Sequence, residues 1–312
     1  MALLSIIIPS FNEEANIANT AKRLGDILKE ERIPYELIFM SDGSRDNTFA
    51  EIEKAAANDA HIKGYEFSRN FGKEAAIFAG LKCATGSCAV VIDCDLQHPP
   101  EVIPEMFRLW KEGYDVVEGI KSSRGNESFL HKAFANTFYG IMSKLMKINM
   151  NDTSDYKLLD RRVVDVLLDL KESNTFFRAL SFWAGFKSTS VMYEVKERTA
   201  GESKWSFTSL LKYAVMNTTS FTTAPLQIVT FLGAISILVS VILGAQTLVR
   251  YFMGNAVEGF TTVILLVLMI GGFIMLSLGI VGHYLARIYD EVKGRPRYII
   301  ARETGKAEPK HE

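Results

Sequence analysis

The sequence is short of the residues that mark disulfide, zinc and redox proteins. Its three cysteines include no CxxC pair, and its five histidines include no pair at metal-ligand spacing. We therefore expect small buried thiols rather than a zinc or redox site. The net charge of −1 gives no overall positive field, so nucleic acid is not an expected partner.

Two nucleotide-binding signatures and a leader sequence are also missing. No GxGxxG follows the first apolar run, and no GxxxxGK[ST] occurs. A nicotinamide-type dinucleotide fold and a P-loop NTPase are therefore both disfavoured. Residues 1–5 have no basic region and no cleavage site, so we expect a strand there and not a signal peptide.

What the sequence does contain, up to about Thr223, is a regular alternation of apolar runs and amphipathic segments. Four runs rich in β-branched residues predict strands, over Ser5–Pro9, Tyr35–Met40, Ile62–Phe67 and Ala89–Ile92. The segments between them predict helices, over Ile17–Glu31, Thr48–Asn58 and Lys73–Thr85. This order predicts an α/β fold, in which a mostly parallel sheet carries helices on both faces.

Two long uncharged apolar stretches follow, at 226–249 and 260–282. Each has roughly the 20 residues that a helix needs to cross a bilayer. The flank after the second stretch is rich in basic residues, namely Arg287, Lys293, Arg295, Arg297 and Arg302. The two stretches predict a transmembrane hairpin over 225–286. The positive-inside rule then predicts that both chain ends lie in the cytoplasm. Residues 287–312 are expected to form a basic cytoplasmic tail.

Two further segments, 128–147 and 206–224, have the periodicity of amphipathic helices. Each could pack on the domain core or lie in the membrane interface. The interface is favoured for the second, because Pro225 joins it directly to the first apolar stretch. For the first, both possibilities stay open. The expected division is thus a cytoplasmic catalytic domain over 1–205, a juxtamembrane helix and the hairpin.

An acidic cluster follows the fourth predicted strand directly. Asp93 and Asp95 are one residue apart, and Gln97 adds an amide oxygen. Open α/β sheets bind ligands at the carboxyl ends of their strands. Hard cations such as Mg²⁺ or Mn²⁺ prefer oxygen ligands, and Mg²⁺ is commonly held by one or two carboxylates together with substrate phosphates. The cluster therefore predicts a site for a metal–diphosphate.

Polar loops follow all four predicted strands, and the sheet should bring them together at one edge. They are 9–14, 41–46, 68–73 and 93–101. Each loop alone could be ordinary turn chemistry, since Asp, Asn and Gly are common turn residues. Together they predict a polar binding site.

Six ordered motifs give the chain a specific resemblance. They are IIIPSFNEE from Ile6, SDGSRDNT from Ser41, SRNFGKEAA from Ser68, DCDLQHPPEVIP from Asp93, SDYKLLDRRVV from Ser154 and ERTAGESKWS from Glu197. With these motifs the chain resembles the bacterial polyisoprenyl-phosphate glycosyltransferases of the GtrB type. These are inverting glycosyltransferases of family 2 with a GT-A fold, related to dolichol-phosphate mannose synthase. The resemblance extends through the predicted hairpin to GRPRYII from Gly294 and so covers nearly the whole chain.

The resemblance implies a nucleotide-sugar donor and a polyprenyl-phosphate acceptor at a cytoplasmic membrane. Pro9, Phe11 and Glu13 would line the nucleotide pocket, and Asp42 would contact the base or ribose. The metal that bridges the diphosphate, Mg²⁺ or Mn²⁺, would be bound by Asp93, Asp95 and Gln97. Phosphate of the donor or the lipid would be held by Arg198, Ser203 and Lys204.

Asp155 occupies the position of the family's proposed catalytic carboxylate. Ser154-Asp155-Tyr156-Lys157 stands where Gly-Asp-Phe-Arg is more usual, so the carboxylate is kept but its surroundings differ. Asp155 could instead cap a helix over Tyr156–Leu168, because Asp is a common N-cap residue. Arg124 could serve phosphate binding or only solubility, and Arg198 could be a surface ion-pair residue.

The donor sugar is not fixed by the motifs. UDP-glucose is the first expectation, with UDP-N-acetylglucosamine and GDP-mannose as alternatives. A processive polysaccharide synthase is a further alternative. Such enzymes normally have a QxxRW segment, which this sequence lacks. A non-enzymatic scaffold or flippase component is the other class. Self-association is expected, since Gly271, Gly272 and Gly279 in the second stretch permit close helix approach.

Overall fold

The computed structural model describes residues 2–121, 154–170, 172, 176–193, 224–254 and 259–305. The chain divides into two compact units. One comprises Met1–Lys204 together with Pro296–Glu312, and the other comprises Trp205–Arg295. Arg124, Arg198, Ser203, Lys204 and the amphipathic segments at 128–147 and 206–223 lie outside the described residues.

The first unit is built on one sheet. Its strands are β1 (Leu4–Ser10), β2 (Tyr35–Ser41), β3 (Ile62–Phe67), β4 (Cys88–Val91), β5 (Val116–Lys121), β6 (Lys157–Asp160), β7 (Ser188–Tyr193) and β8 (Ile300–Glu303). They lie in the order β7-β5-β6-β4-β1-β2-β3-β8. The central pairs β4-β1, β1-β2 and β2-β3 are parallel, as is β5-β7. The mostly parallel sheet predicted from the sequence is confirmed.

Helices cover this sheet. They are α1 (Ile17–Glu30), α2 (Thr48–Asn58), α3 (Lys73–Cys83), α4 (Ile103–Lys111), α5 (Arg161–Asp169) and α6 (Phe177–Trp183). Every residue of β1 and β2 is buried, as expected for strands with both faces covered. The helix α3 packs closely on β1, because a Cβ atom at Gly80 would lie only 2.3 Å from Ile7 Cγ2. This close packing fixes α3 against the central strand β1.

The helix expected over Tyr156–Leu168 is wrong in its first part. Residues Lys157–Asp160 form β6, which pairs antiparallel with both β4 and β5. The apolar side chains of Leu158 and Leu159 are therefore buried in the sheet. Helix α5 begins afterwards at Arg161, and its N-cap is Asp160, whose Oδ1 accepts the Arg162 N–H at 2.9 Å. Asp155 does not cap this helix.

Two long helices make up the described part of the second unit, α7 (Ala224–Phe252) and α8 (Phe260–Val292). Val229–Thr247 and Met269–Val292 within them are long and apolar enough to cross a membrane. Helix α8 runs ten residues beyond the predicted end at Gly282, because no Gly or Pro interrupts the sequence before Gly294.

The end of the chain differs from the expected tail. Residues Ile300–Glu303 return to the first unit as β8, which pairs antiparallel with the outer edge of β3. Tyr298 stacks on Phe67 with ring centroids 5.2 Å apart. The Thr304 Oγ1 accepts the Gly64 N–H at 2.9 Å. A short polar strand of this kind has no periodic signal of its own, and its position depends on the neighbouring edge.

Candidate active site

A cavity of about 320 Å³ lies at the carboxyl ends of the central strands. All four predicted polar loops contribute to it. Its lining comprises Pro9, Ser10, Phe11, Glu13, Asp42, Asn70, Gly72, Lys73, Ala76, Asp93, Cys94 and Asp95. The predicted convergence of the loops at one sheet edge is confirmed. Of the residues predicted to contact nucleotide or metal, Gln97 is not part of this lining.

The acidic cluster faces this cavity through Asp93 and Asp95. The backbone N–H of Gln97 donates to Asp95 Oδ1 at 3.1 Å, which tightens the loop after β4. Cys94 between them is buried beside Thr20, as expected for a small buried thiol. Two carboxylates are hard oxygen donors and suit a divalent cation whose remaining ligands come from a diphosphate. Among the described residues, no group of three or more His, Cys, Asp or Glu could hold a metal.

Lys73, the first residue of α3, connects the acidic cluster to Asp155. Its Nζ lies 2.5 Å from Asp93 Oδ1 and 3.1 Å from Asp155 Oδ2. Burial alone would lower the pKa of Lys73, but the two carboxylates raise it above its ordinary value. The ammonium group is therefore charged and joins the predicted metal-binding residue to the predicted catalytic residue.

Asp155 is buried, with 7% of its surface exposed. Arg178 of α6 donates to both of its oxygens, from Nε to Oδ1 at 2.6 Å and from Nη2 to Oδ2 at 3.0 Å. Burial would raise the pKa of Asp155, but the Arg178 hydrogen bonds and the charges of Arg178 and Lys73 hold it well below its usual range. Asp155 is therefore an ionised carboxylate held between two cations.

Asp42 holds the third loop in place. Its carboxylate oxygens accept the backbone N–H groups of Phe71 at 2.6 Å and of Gly72 at 2.9 Å. Burial raises the pKa of Asp42, and the two backbone hydrogen bonds oppose that rise. Gly72 has a φ of +97°, which favours glycine, and it directly precedes Lys73. Asp42 thus contributes to the position of Lys73 as well as to the cavity wall.

The first loop places an acid and an aromatic ring at the cavity. Glu13 is fixed by its backbone N–H, which donates to Thr48 Oγ1 at 2.8 Å, and by Asn16, which donates to its carboxylate. Burial raises the pKa of Glu13, and the charges of Asp95 and Asp93 add to the rise. Phe11 is 43% exposed, so its ring is open for contact with a ligand.

His98 lies behind the acidic cluster. Its ring stacks on Tyr156 with centroids 5.2 Å apart, and its Nδ1 is 3.8 Å from Asp93 Oδ2. Burial lowers the pKa of His98, and the nearby Asp93 opposes that effect. His98 therefore packs behind the acidic cluster, within the polar loop 93–101.

Sequence reasoning missed Lys73 and Arg178 as members of this site. In the sequence, Lys73 stands at the end of a polar loop and at the start of a predicted helix, and neither position indicates a role in the site. Arg178 lies 23 residues after Asp155 in the sequence, on the short helix α6. No spacing rule links these positions, because their proximity depends on how α6 packs beside β6.

The chain is similar to known proteins over almost its full length. The family described as glycosyl transferase family 2 matches residues 5–168. The uncharacterized glycosyltransferase YkcC of Bacillus subtilis (strain 168) is 39% identical over 306 residues, covering 96% of this chain and 94% of the relative. The bactoprenol glucosyl transferase of Shigella phage SfX is 37% identical over 302 residues, covering 95% and 98%.

A solved structure shows the same fold. Glucosyl-3-phosphoglycerate synthase from Mycobacterium tuberculosis, in complex with Mn²⁺, uridine-diphosphate and phosphoglyceric acid, has a TM-score of 0.50 to this chain at 18% identity. The match covers 64% of this chain and 72% of that chain. It confirms the GT-A fold expected from the sequence.

Proposed function

Because the chain belongs to glycosyl transferase family 2, we propose that it transfers one sugar from a nucleotide-sugar to a polyprenyl phosphate such as undecaprenyl phosphate. The transfer takes place at the cytoplasmic face of a bacterial membrane and supplies a lipid-linked sugar for the cell envelope. The relative named bactoprenol glucosyl transferase supports both the lipid acceptor and glucose as the sugar. UDP-glucose is therefore the first donor to test.

The observation that carries this proposal is the meeting of two carboxylate systems in one site. Asp93 and Asp95 line the cavity. Lys73 joins Asp93, which follows β4, to Asp155, which precedes the neighbouring strand β6. A transferase needs one group of residues for the diphosphate and another for the reacting sugar, within reach of each other. The proximity of these two groups supports the proposal.

The donor half of the site is assigned to the residues around the acidic cluster. Pro9, Phe11 and Glu13 line the nucleotide pocket, and Asp42 shapes it through the third loop. Asp93 and Asp95 would hold Mg²⁺ or Mn²⁺, with Gln97 as the third predicted ligand. When bound, the cation neutralises negative charge on the leaving diphosphate.

The reaction forms a bond between an acceptor phosphate oxygen and C1 of the sugar. The bond from C1 to the donor diphosphate breaks on the opposite face, so the nucleoside diphosphate leaves with the electron pair and the configuration inverts. The acceptor is already largely ionised at neutral pH, because phosphate monoesters have a second pKa of about 6. A general base is therefore not required.

Asp155 is poorly suited to act as a base. General bases work best when their pKa is near the operating pH, and the pKa of Asp155 is held well below its usual range. Its fixed negative charge suits another role. We assign it to orienting the acceptor through its cationic partners and to stabilising the positive charge that develops on the sugar.

The membrane assignment rests on α7 and α8, which form the proposed transmembrane hairpin. The basic residues after α8 favour cytoplasmic ends for the chain. Arg124, Arg198, Ser203 and Lys204 stay predictions as phosphate-binding residues. The expected self-association of the chain also stays a prediction.

The test is a donor panel with the purified full-length protein, undecaprenyl phosphate and Mg²⁺ or Mn²⁺. UDP-glucose, UDP-N-acetylglucosamine and GDP-mannose are supplied separately, and the lipid product is identified by mass spectrometry. One added hexose per lipid is the expected result. Several added sugars per lipid would favour a processive synthase. The absence of any sugar-modified lipid with all three donors would overturn the proposal.

A further inference from the structure

Glu74 accepts a backbone N–H at the start of α6, a helix whose N-cap residue provides no side-chain acceptor. It is the second residue of α3, and its Oε2 accepts the backbone N–H of Phe177 at 2.9 Å. Phe177 is the first residue of α6, and the N-cap residue of α6, Phe176, makes no side-chain cap hydrogen bond. The first N–H groups of a helix need acceptors from outside the helix, and a carboxylate is favoured at this end.

The residue after Phe177 is Arg178, whose guanidinium holds Asp155. Because the two residues are adjacent, a hydrogen bond that fixes the Phe177 backbone also fixes the starting point of the Arg178 side chain. A second contact fixes the next turn of α6. There the Lys157 Nζ donates to Ser181 Oγ at 2.9 Å and lies 2.9 Å from Glu118 Oε1.

Glu74 and Lys73 are neighbours on α3 with different targets. Lys73 reaches Asp93 and Asp155, whereas Glu74 reaches the backbone of α6. The first turn of α3 therefore contacts the predicted metal-binding residue Asp93, the buried carboxylate of Asp155 and the helix that holds this carboxylate. A shift of α6 would move Arg178 relative to Asp155 without altering Asp93 or Asp95.

We propose that Glu74 is a positioning residue for sugar transfer, which fixes the first turn of α6 so that Arg178 holds Asp155 in its working orientation. The inference rests on the proposed function. It concerns the backbone of α6, so a side chain that accepts the same hydrogen bond without a charge can replace Glu74.

The test compares E74A and E74Q with the wild type in the full-length protein. Glutamine keeps an oxygen that can accept the Phe177 N–H, whereas alanine removes it. We expect E74A to lower kcat about 10- to 100-fold, because small displacements of positioned groups have effects of this size. The KM for the nucleotide-sugar should stay within about twofold, and E74Q should recover most of kcat.

A second measurement follows α6 itself by hydrogen–deuterium exchange of peptides that contain residues 177–183. Exchange should be faster in E74A and close to wild type in E74Q. E51A is the matched control, because Glu51 is also an acidic residue in the first turn of a helix and pairs with the exposed Lys54 of the same helix. E51A should change neither measurement.

Each outcome bears on the inference. Unchanged exchange in E74A, or faster exchange with an unchanged kcat, would overturn it, as would a failure of E74Q to recover activity. If the wild type transfers no sugar, the proposed function fails, and the exchange data still decide whether Glu74 anchors α6.

Discussion

The guanidinium of Arg178 binds the carboxylate of Asp155 through two parallel hydrogen bonds, of 2.6 Å and 3.0 Å. Lys73 approaches the same carboxylate from α3, at 3.1 Å. A buried carboxylate with two cationic partners is fixed in orientation and stays ionised. The site therefore presents a permanent negative charge beside the predicted metal-binding residues, and its energetics depend on keeping both cations in place.

Replacing Arg178 should affect both stability and transfer. R178A leaves the buried Asp155 with Lys73 as its cationic partner among the described residues, and the loss of one partner of a buried pair costs about 3–5 kcal/mol. We expect a destabilisation at the lower end of that range, because Lys73 remains, together with a large loss of turnover. R162A is the control, since Arg162 forms its ion pairs at the surface and such pairs contribute about 0–1 kcal/mol. Equal thermal shifts for the two variants would contradict the assignment.

Replacing Asp155 itself tests its electrostatic role. D155N keeps the shape of the side chain but removes the charge, so we expect turnover to fall by about 100-fold or more. Binding of Mn²⁺ with nucleoside diphosphate should persist, because Asp93 and Asp95 are unchanged. Full turnover of D155N with intact metal binding would exclude a chemical role for Asp155.

Replacing Asp95 tests the donor half of the site. D95N removes one of the two carboxylates of the acidic cluster at the cavity, and we expect transfer to fall by more than about 100-fold. The variant should stay in the membrane fraction, because α7 and α8 are unchanged. E105Q, at an exposed position of α4, should retain wild-type activity. Retained activity in D95N would disprove the assignment of the acidic cluster.

Metal removal offers an independent check of the same residues. Treatment with EDTA should stop transfer, and added Mg²⁺ or Mn²⁺ should restore it, because the leaving diphosphate needs charge neutralisation. Parallel titrations with the two ions, read as product formation, identify the preferred metal. Unchanged activity after exhaustive chelation would show that the cations of the chain suffice.

The pH dependence of stability should report on Glu74. Burial and the charge of Asp155 raise its pKa from an ordinary value of 4.5 to about 7, against the lowering effect of the Phe177 N–H and of Arg178 and Lys73. The folded state therefore binds a proton more tightly than the unfolded state. This contribution is lost as pH rises from about 4.5 to about 7, and it amounts to roughly 3 kcal/mol.

E74Q removes this titration but keeps the acceptor oxygen. Its melting temperature should exceed that of the wild type at pH 8 by more than it does at pH 5, as measured by thermal unfolding in detergent. A difference that is the same at both pH values would show that Glu74 has an ordinary pKa in the folded protein.

The strands and helices in the first half of the first unit were predicted well from the sequence, because the patterns that define them are local. Strands β1 to β4 are short apolar runs that end at polar loops, and α1 and α2 each have one apolar face, so the predicted positions of these elements and of α3 agree with the structure within about two residues. Strand β6 was missed because its four residues run directly into α5, and the two patterns merge into one. Strand β8 was missed because its partner lies at the other end of the chain.

The site was predictable to the same extent. Residues that directly follow strands, such as Asp93 and Asp95, could be placed at the sheet edge from sequence alone. The partners of Asp155 could not, because Arg178 arrives on a short helix with little periodicity and Lys73 by the packing of α3. Long-range contacts of this kind are decided by tertiary packing.

The return of the chain to β3 has a consequence for biosynthesis. The N–H of Gly64 bonds a residue that is made 240 positions later, after both apolar helices. Until then, the outer edge of β3 has unpaired backbone groups, which other chains can bind. Because a chain is made from its amino terminus, the ribosome must complete α7 and α8 before β8 is made and can pair with β3. The sheet of the first unit is therefore completed only after the helices proposed to enter the membrane have been made.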